Sequence, residues 1–347
     1  MYKALDRRRY EMREPFNENE LLEMIDNKDI KVLQTSEPLK INSWKLLNDI
    51  VFSIRKDIEL RVYGFYSQEC NLKFVRELVN VERFSADCLM NATEVESIPQ
   101  MSNLKHLSVD IYNLETFDFL DFINENLEGL SLGRTSSKKP NLKPLKRFRY
   151  LKELYIEGQS KNIDVLLELE NIEDITLRSI STPDVSYLTN LKKLWSLDVK
   201  LGGIKDFSSI KGMDHIKYLE LWQIRDLKDL SFMSELEGLQ YLFLQSLPQV
   251  QELPSFKNLK NLRRILLQNM KGLKDFSKLK EAENLEEFIL SEAPSTDPDE
   301  LRVLLSLLNL KRVACGFGSN KKNNDFKNML KSKNISDKID FFNFEFR

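Results

Sequence analysis

Apolar residues recur along most of this chain in one fixed frame. In the copy that begins at Leu239 they occupy offsets 0, 3, 5, 8, 11, 14, 17 and 20, and the copy that begins at Leu262 uses the same eight offsets. A repeated period of 21 to 25 residues is typical of solenoid proteins, in which small units stack. The clear copies begin at Val81, Leu104, Leu127, Leu151, Ile172, Leu194, Ile216, Leu239, Leu262, Leu285 and Leu310.

Each copy changes its apolar spacing part-way along. The first part has apolar residues two apart, as at Leu242 and Leu244, which predicts a strand with one buried face. The second part has one apolar residue in every three, as at Leu227 and Leu230, which suits extended or 3₁₀-like turns. A single copy cannot bury its leucines alone. We therefore predict stacked coils whose strands pair in parallel, about 4.8 Å apart.

The strand segments "LQYLFL", "LRRILL", "IKYLEL", "LKELYI" and "LEEFIL" match the pattern L-x-x-L-x-L. Over roughly residues 57–347 the chain therefore resembles the leucine-rich repeat superfamily, and in particular its bacterial cytoplasmic members. The resemblance implies an α/β solenoid, a horseshoe with a parallel concave β-sheet. The ninth position, which usually holds Asn in this family, departs from the pattern, so we expect burial rather than an asparagine ladder to hold that turn. The residues at the ninth position of successive repeats are Tyr112, Thr135, Gln159, Ile180, Gly202, Ile224, Leu247, Met270 and Ala293.

The two ends of a solenoid expose its core and need caps. We interpret residues 1–56 as a helical N-terminal cap, in which Asn17 and Glu20 form a capping box and Ser43 caps a second helix. Residues 57–347 form the solenoid, with about 11 clear repeats and weaker copies at 57–63 and 339–346. Its last repeats are predicted to contain helices, one of which begins at Asp297.

Positions three, five and seven of each repeat point away from the core, onto the concave sheet. In the later repeats these positions hold an apolar and aromatic cluster with Arg264 beside it, and patches of this kind mark interaction surfaces. Acidic residues precede the cluster, and they indicate either a partner with a basic rim or a means of keeping an exposed sheet soluble. Two alternatives remain open: β propensity alone places aromatics in strands, or the C-terminal cap or a second copy covers them. The predicted partner-binding residues are Tyr218, Trp222, Tyr241, Phe243, Leu266, Ile289, Tyr155, Glu153, Glu157, Asp174, Asp198, Glu220 and Arg264.

Composition excludes several classes of partner. The 52 basic and 54 acidic residues nearly cancel, so neither nucleic acid nor an anionic membrane is indicated. No apolar run is long enough to span a membrane, and the N-terminus lacks the apolar core of a secretory signal. Three cysteines and two histidines fit neither a disulfide framework nor a zinc site. We expect a cytoplasmic protein that binds no cofactor, metal or small-molecule substrate.

Catalytic chemistry is not indicated either. His106, Ser108 and Asp110 share one strand face, but neighbours along a strand have no built-in geometry for a nucleophile and its base. A solvent-facing histidine is the simpler interpretation. The sequence also contains no phosphate-binding glycine motif.

The leading functional hypothesis is a non-enzymatic scaffold that binds a partner protein on the concave face. A narrower variant is an inhibitor or immunity-type protein that blocks a toxin or enzyme with its acidic centre. The third hypothesis, a surface adhesin of the internalin type, is disfavoured because the sequence shows no leader or anchor.

Overall fold

The computed structural model describes residues 8–65, 68–137, 140–333, 335–338 and 344–347. The chain divides into two compact units, Met1–Ile172 and Glu173–Arg347. Among the described residues, each unit contains a main parallel sheet of seven strands. The predicted α/β solenoid with a parallel sheet is confirmed. The boundary predicted at residue 56 stays a prediction.

In the first unit the main-sheet strands pair in chain order, while two short strands, β4 and β6, form a separate parallel pair. The strands of this unit are β1 (Arg8–Glu11), β2 (Ile30–Thr35), β3 (Glu59–Tyr63), β4 (Cys70–Asn71), β5 (Arg83–Leu89), β6 (Ala92–Thr93), β7 (His106–Ile111), β8 (Gly129–Leu132) and β9 (Glu153–Glu157). The segment predicted as a weak copy, residues 57–63, contains β3.

The second unit has seven strands that pair in parallel without a register shift. They are β10 (Asp174–Arg178), β11 (Ser196–Lys200), β12 (Tyr218–Trp222), β13 (Tyr241–Gln245), β14 (Arg264–Gln268), β15 (Glu287–Ser291) and β16 (Arg312–Cys315). Equivalent positions of successive repeats are direct partners: Leu219 pairs with Leu242, and Leu242 with Ile265. All three are fully buried, so the inward frame is confirmed.

In most repeats the part with a three-residue period forms 3₁₀ turns, as predicted, whereas the repeat that begins at Leu239 has no 3₁₀ segment between β13 and β14. Each turn buries one or more apolar side chains, for example Phe232 and Met233. The 3₁₀ segments outside the caps are Leu72–Glu77, Val95–Gln100, Asp118–Phe122, Lys143–Arg147, Ile163–Glu168, Ser186–Leu188, Ser208–Ile210, Ser231–Glu235 and Ser277–Glu281.

The N-terminal region contains more than helices. Helix α1 (Glu18–Asp26) begins with the predicted capping box: Asn17 Oδ1 accepts from Glu20 N at 3.0 Å, and Asn17 N donates to Glu20 Oε2 at 2.8 Å. Ser43 lies inside α2 (Ile41–Leu46), so its prediction as a cap is wrong. A π-helix, Leu47–Phe52, continues α2. Strands β1 and β2 of this region belong to the main sheet and therefore extend its ladder toward the N-terminus.

Helical structure also occurs near the C-terminus, as predicted. Asp297 caps a 3₁₀ helix, Pro298–Ser306, by accepting a hydrogen bond from Asp299 N at 3.0 Å. A longer helix follows, α3 (Asn320–Leu330). Of the weak copy predicted at 339–346, residues 339–343 lie outside the described residues, and residues 344–347 are not in a strand.

Asparagine does bridge the repeats, but from the position before the first leucine and not from the ninth position. The ninth position lacks Asn and is mostly buried, as expected, with Ile224 and Leu247 fully enclosed. The residue just before the first leucine holds Asn in several repeats instead. Asn103 Nδ2 donates to the carbonyl of Val79 at 2.9 Å. Equivalent bonds to the preceding repeat are made by Asn171, Asn261, Asn284 and Asn309.

In most repeats the residue directly after the strand turns the chain with a left-handed backbone. This eighth position has positive φ in most repeats, including Ser179, Leu201, Gln223 and Gly158. Side chains with a Cβ meet the backbone in this conformation, which costs roughly 1–2 kcal/mol per residue. The turn therefore carries a conformational cost wherever the residue is not glycine.

Among the described residues, no helix is long and apolar enough to cross a membrane.

Gly158→Ala tests this cost directly. Gly158 has φ of 84°, and a Cβ placed on it would meet no atom within 4 Å, so the penalty is purely conformational. We expect the free energy of unfolding to fall by about 1 kcal/mol, measured by urea denaturation. Gly316→Ala is the matched control, because the nearest atoms to its Cβ lie at 3.9 Å and its φ is not left-handed. Equal effects of the two substitutions would contradict the interpretation.

Candidate binding face of the second unit

The in-register strands of the second unit bring the predicted residues into rows. We call the sheet side that carries positions three, five and seven of β10–β16 the open face. Position three forms a row from Tyr218 through Tyr241 to Arg264, since each pairs with the next. Position five aligns Glu220, Phe243, Leu266 and Ile289. The predicted adjacency of these side chains is therefore confirmed.

The exposure of the open face differs from the expectation. Trp222 and Phe243 are half-buried, but Tyr218, Tyr241, Leu266 and Ile289 are each at most 5% exposed. The expectation of an open aromatic wall is therefore wrong for these four residues. Their role in partner binding stays a prediction.

Residues 344–347, which we call the covering segment, lie over part of this row. The ring of Phe344 packs on Tyr241 with centroids 5.2 Å apart, and Phe346 packs on Tyr218 at 6.2 Å. Phe346 also meets Trp195 edge-on at 5.1 Å. The alternative that the chain's own C-terminal region covers the aromatics is thus confirmed for Tyr218 and Tyr241.

Polar contacts fix the backbone of the covering segment. Gln240 makes a two-point pair with Arg347: its Oε1 accepts from Arg347 N at 2.8 Å, and its Nε2 donates to the main-chain oxygen of Arg347 at 2.7 Å. Lys217 Nζ donates to the same oxygen at 2.8 Å. The guanidinium of Arg263 donates to the carbonyl of Glu345. Three side chains therefore hold main-chain atoms of the segment by hydrogen bonds.

A buried charge cluster lies next to the aromatic row. Lys200 Nζ is 3.0 Å from Glu220 Oε1 and 3.2 Å from Asp198 Oδ2, and all three residues are at most 5% exposed. Tyr218 Oη donates to Glu220 Oε2 at 2.6 Å. Among the described residues, one ammonium thus faces two carboxylates, an excess of one negative charge.

This imbalance shifts the two carboxyl groups in opposite directions. Burial and the nearby Glu220 carboxylate raise the pKa of Asp198 to about 7. Burial also acts against ionised Glu220, but Lys200 and the hydroxyl of Tyr218 outweigh it and lower the pKa of Glu220. Asp198 Oδ1 is buried and has no hydrogen-bond partner among the described residues, consistent with its penalised charge.

Arg264 is also buried, contrary to its predicted role beside an exposed patch. Its guanidinium pairs with Glu287, which in turn pairs with Arg312. The same guanidinium lies 5.1 Å from the centroid of Tyr241 and 4.8 Å from that of Phe344. Arg264 therefore stabilises the covered aromatic row through cation–π contacts, and its charge is paired with that of Glu287.

The predicted acidic centre is smaller than expected, because Asp198 and Glu220 are enclosed with Lys200. Asp174 remains half-buried in β10. In the first unit Glu153 is exposed, and Tyr155 Oη donates to Glu157 Oε2 at 2.7 Å. The surface charge available to a basic partner therefore comes from Glu153, Glu157 and Asp174 among the predicted acids.

The cysteines are not poised for nucleophilic chemistry. Burial raises the pKa of Cys70 to about 12, and burial with the neighbouring Asp87 raises the pKa of Cys88 to about 11. Burial also raises the pKa of Cys315. Thiolate is the nucleophilic form, so these thiols are unreactive near neutral pH.

Solved structures share this architecture. An internalin from Listeria monocytogenes aligns with a TM-score of 0.56 and 18% identity over 83% of this chain and 82% of that one. The chain has the leucine-rich repeat fold. A leucine-rich repeat protein from Leptospira interrogans aligns at 17% identity over 94% of this chain and 92% of the other, with a TM-score of 0.47. Neither a family model nor a curated protein sequence matches the chain.

The leucine-rich repeat frame itself contained a signal for the residues that sequence reasoning missed. Trp195, Lys217, Gln240 and Arg263 all occupy position two of successive repeats, directly before the first outward residue of each strand. Together they form the platform under the covering segment. The repeat frame places these four residues at equivalent positions, which the sequence alone shows. The segment that they bind was not predictable, because the sequence interpretation assigns the covering segment to another strand.

The raised pKa of Asp198 predicts a pH-dependent stability. A carboxyl whose pKa rises from 3.8 to about 7 on folding binds its proton more tightly in the folded state. Its contribution is therefore greatest at low pH and is lost as the pH rises to about 7. Asp198→Asn removes the buried charge, so we expect its unfolding free energy to fall less than that of the wild type between about pH 5 and pH 8.

Urea denaturation across that pH range measures the effect. Ionisation of Glu220 does not interfere, because its lowered pKa places its titration below 4.5. The variant should be at least as stable as the wild type at about pH 8, and its advantage should shrink toward pH 5. Parallel pH profiles of the two proteins would show that Asp198 does not titrate in this window.

Proposed function

We propose that this protein is a non-enzymatic scaffold that binds a partner protein on the open face of its second unit. The supporting observation is the partly exposed pair of Trp222 and Phe243, which lie on adjacent strands beside the buried aromatic row. Aromatic side chains with part of their surface open dominate the binding energy of many protein interfaces. Their strands, β12 and β13, each pair with a neighbouring strand on both sides.

The chemistry of the face supports binding rather than catalysis. Its buried charged groups contact groups of opposite charge: Lys200 contacts Asp198 and Glu220, and Glu287 contacts Arg264 and Arg312. Acidic and basic side chains that form ion pairs of this kind stabilise the shape of the surface. The surrounding Gln245 and Gln268 supply polar groups of the kind found at the rim of an interface.

Trp222→Ala combined with Phe243→Ala tests the proposal. We expect each substitution to weaken partner binding by about 2 kcal/mol, which is roughly 30-fold in Kd, while leaving the urea midpoint close to that of the wild type. Partners are first captured from native lysate on the wild-type protein, and the binding of one purified partner is then measured by calorimetry.

The matched control is Phe122→Ala with Tyr150→Ala. These two aromatics are 75% and 60% exposed but do not lie on the open face, since Phe122 is in a 3₁₀ turn and Tyr150 precedes β9. The control should bind the partner like the wild type. Equal affinity of all three proteins would reject the open face as the binding surface.

A further inference from the structure

The covering segment is bound in a way that a separate polypeptide could reproduce. Lys217, Gln240 and Arg263 come from three consecutive repeats, and the side-chain hydrogen bonds that they make to the segment go to its main-chain atoms. Every polypeptide in an extended form offers the same groups at the same spacing. These contacts therefore recognise a peptide backbone without regard to its side chains.

Selectivity comes from the two rings. Phe344 packs on Tyr241 and lies over the guanidinium groups of Arg263 and Arg264, at 4.5 Å and 4.8 Å from the ring centroid. Phe346 lies between Trp195 and Tyr218. The two rings are two residues apart in the chain, and both contact aromatic side chains of the face. The arrangement selects aromatic residues at alternate positions.

A negative charge lies beside the end of the segment. Glu286 Oε1 is 3.4 Å from the guanidinium of Arg347. Burial acts against ionised Glu286, but Lys311 and the nearby arginines lower its pKa, so it is ionised at neutral pH. A basic residue directly after the second aromatic thus complements the site.

The covering segment fills this site incompletely. Phe346 is 37% exposed and Phe344 is half-buried, although both contact the aromatic row. A cavity of about 200 Å³ remains beside the segment, lined by Arg263, Glu286, Glu287 and Arg312. Protein cores are close-packed, so this contact is weaker than core packing and is suited to exchange.

We propose that the covering segment is an internal competitor in a peptide-binding site. The site takes an extended segment of a partner protein that carries two aromatic side chains two residues apart, followed by a basic residue. The partner segment displaces residues 344–347 and exposes Tyr218 and Tyr241 to its own rings. This inference rests on the proposed function and names the kind of partner that the face accepts.

Competition follows from covalent attachment. A segment joined to the same chain has an effective concentration on the order of millimolar, so it keeps the site occupied against a dilute peptide of similar chemistry. The apparent affinity of a competing peptide is reduced by the fraction of molecules in which the site is open. Weakening the internal segment therefore strengthens peptide binding.

The experiment titrates a fluorescein-labelled synthetic peptide, copying residues 340–347, with three forms of the full chain and follows anisotropy. Phe344→Ala with Phe346→Ala should bind the peptide at least about tenfold more tightly than the wild type. Phe122→Ala with Tyr150→Ala, the matched aromatic control, should behave like the wild type. A peptide with alanine at both Phe positions should not bind.

A third substitution locates the site. Adding Gln240→Ala to the Phe344/Phe346 double variant removes the two-point backbone pair and should weaken peptide binding by about tenfold. Circular dichroism and the urea midpoint of each variant confirm that it is folded. A folded double variant that does not bind the peptide, or binds it no better than the wild type, would overturn the proposal.

Two further results have defined meanings. If the wild type forms a dimer that the Phe344/Phe346 substitutions convert to a monomer, the segment is exchanged between copies, and the proposal of an internal competitor is wrong. If the peptide binds as expected but partner capture does not depend on Trp222 and Phe243, the proposed function fails while the peptide site stands. The two proposals can thus fail independently.

Discussion

A single repeat of this protein cannot bury its own leucines, and the structure depends on that constraint. Leu219, Leu242 and Ile265 are enclosed because each strand pairs in parallel with the next and places the same position beside its equivalent. A register slip of one residue would turn every buried side chain outward. Burial on one side of the sheet therefore fixes the rows on the other side.

Those rows explain why charged residues contact each other, and aromatic residues contact each other, on the same open face. Register places Lys200 beside Glu220 and Arg264 beside Glu287, so buried charges find partners on neighbouring strands. It also groups Tyr218 with Tyr241, which creates an apolar strip that water solvates poorly. The covering segment shields this strip, whereas Trp222 and Phe243 remain partly exposed. These two side chains are the ones that the proposed partner would contact.

Between the rows, local devices hold successive repeats together. Asparagines such as Asn261 and Asn284 bond to carbonyls of the preceding repeat, while the buried ninth position closes the turn after the strand. The left-handed residue at position eight directs the chain out of the sheet even where it is leucine or glutamine. These features recur because in every repeat the chain must leave the sheet with its buried backbone N–H and C=O groups still hydrogen-bonded.

The sequence by itself determined the strands, the 3₁₀ turns and the rows of the sheet, because these follow from a spacing of apolar residues that each repeat carries within about two dozen positions. It also determined the capping box at Asn17, which is a local hydrogen-bonding pattern. Only the tertiary structure decided which rings of the open face meet solvent. Gln240 and Arg347 are 107 residues apart, and Lys217 and Arg347 are 130 apart. No short-range pattern encodes such a contact, so exposure predicted from a strand frame holds only where no distant segment returns to cover it.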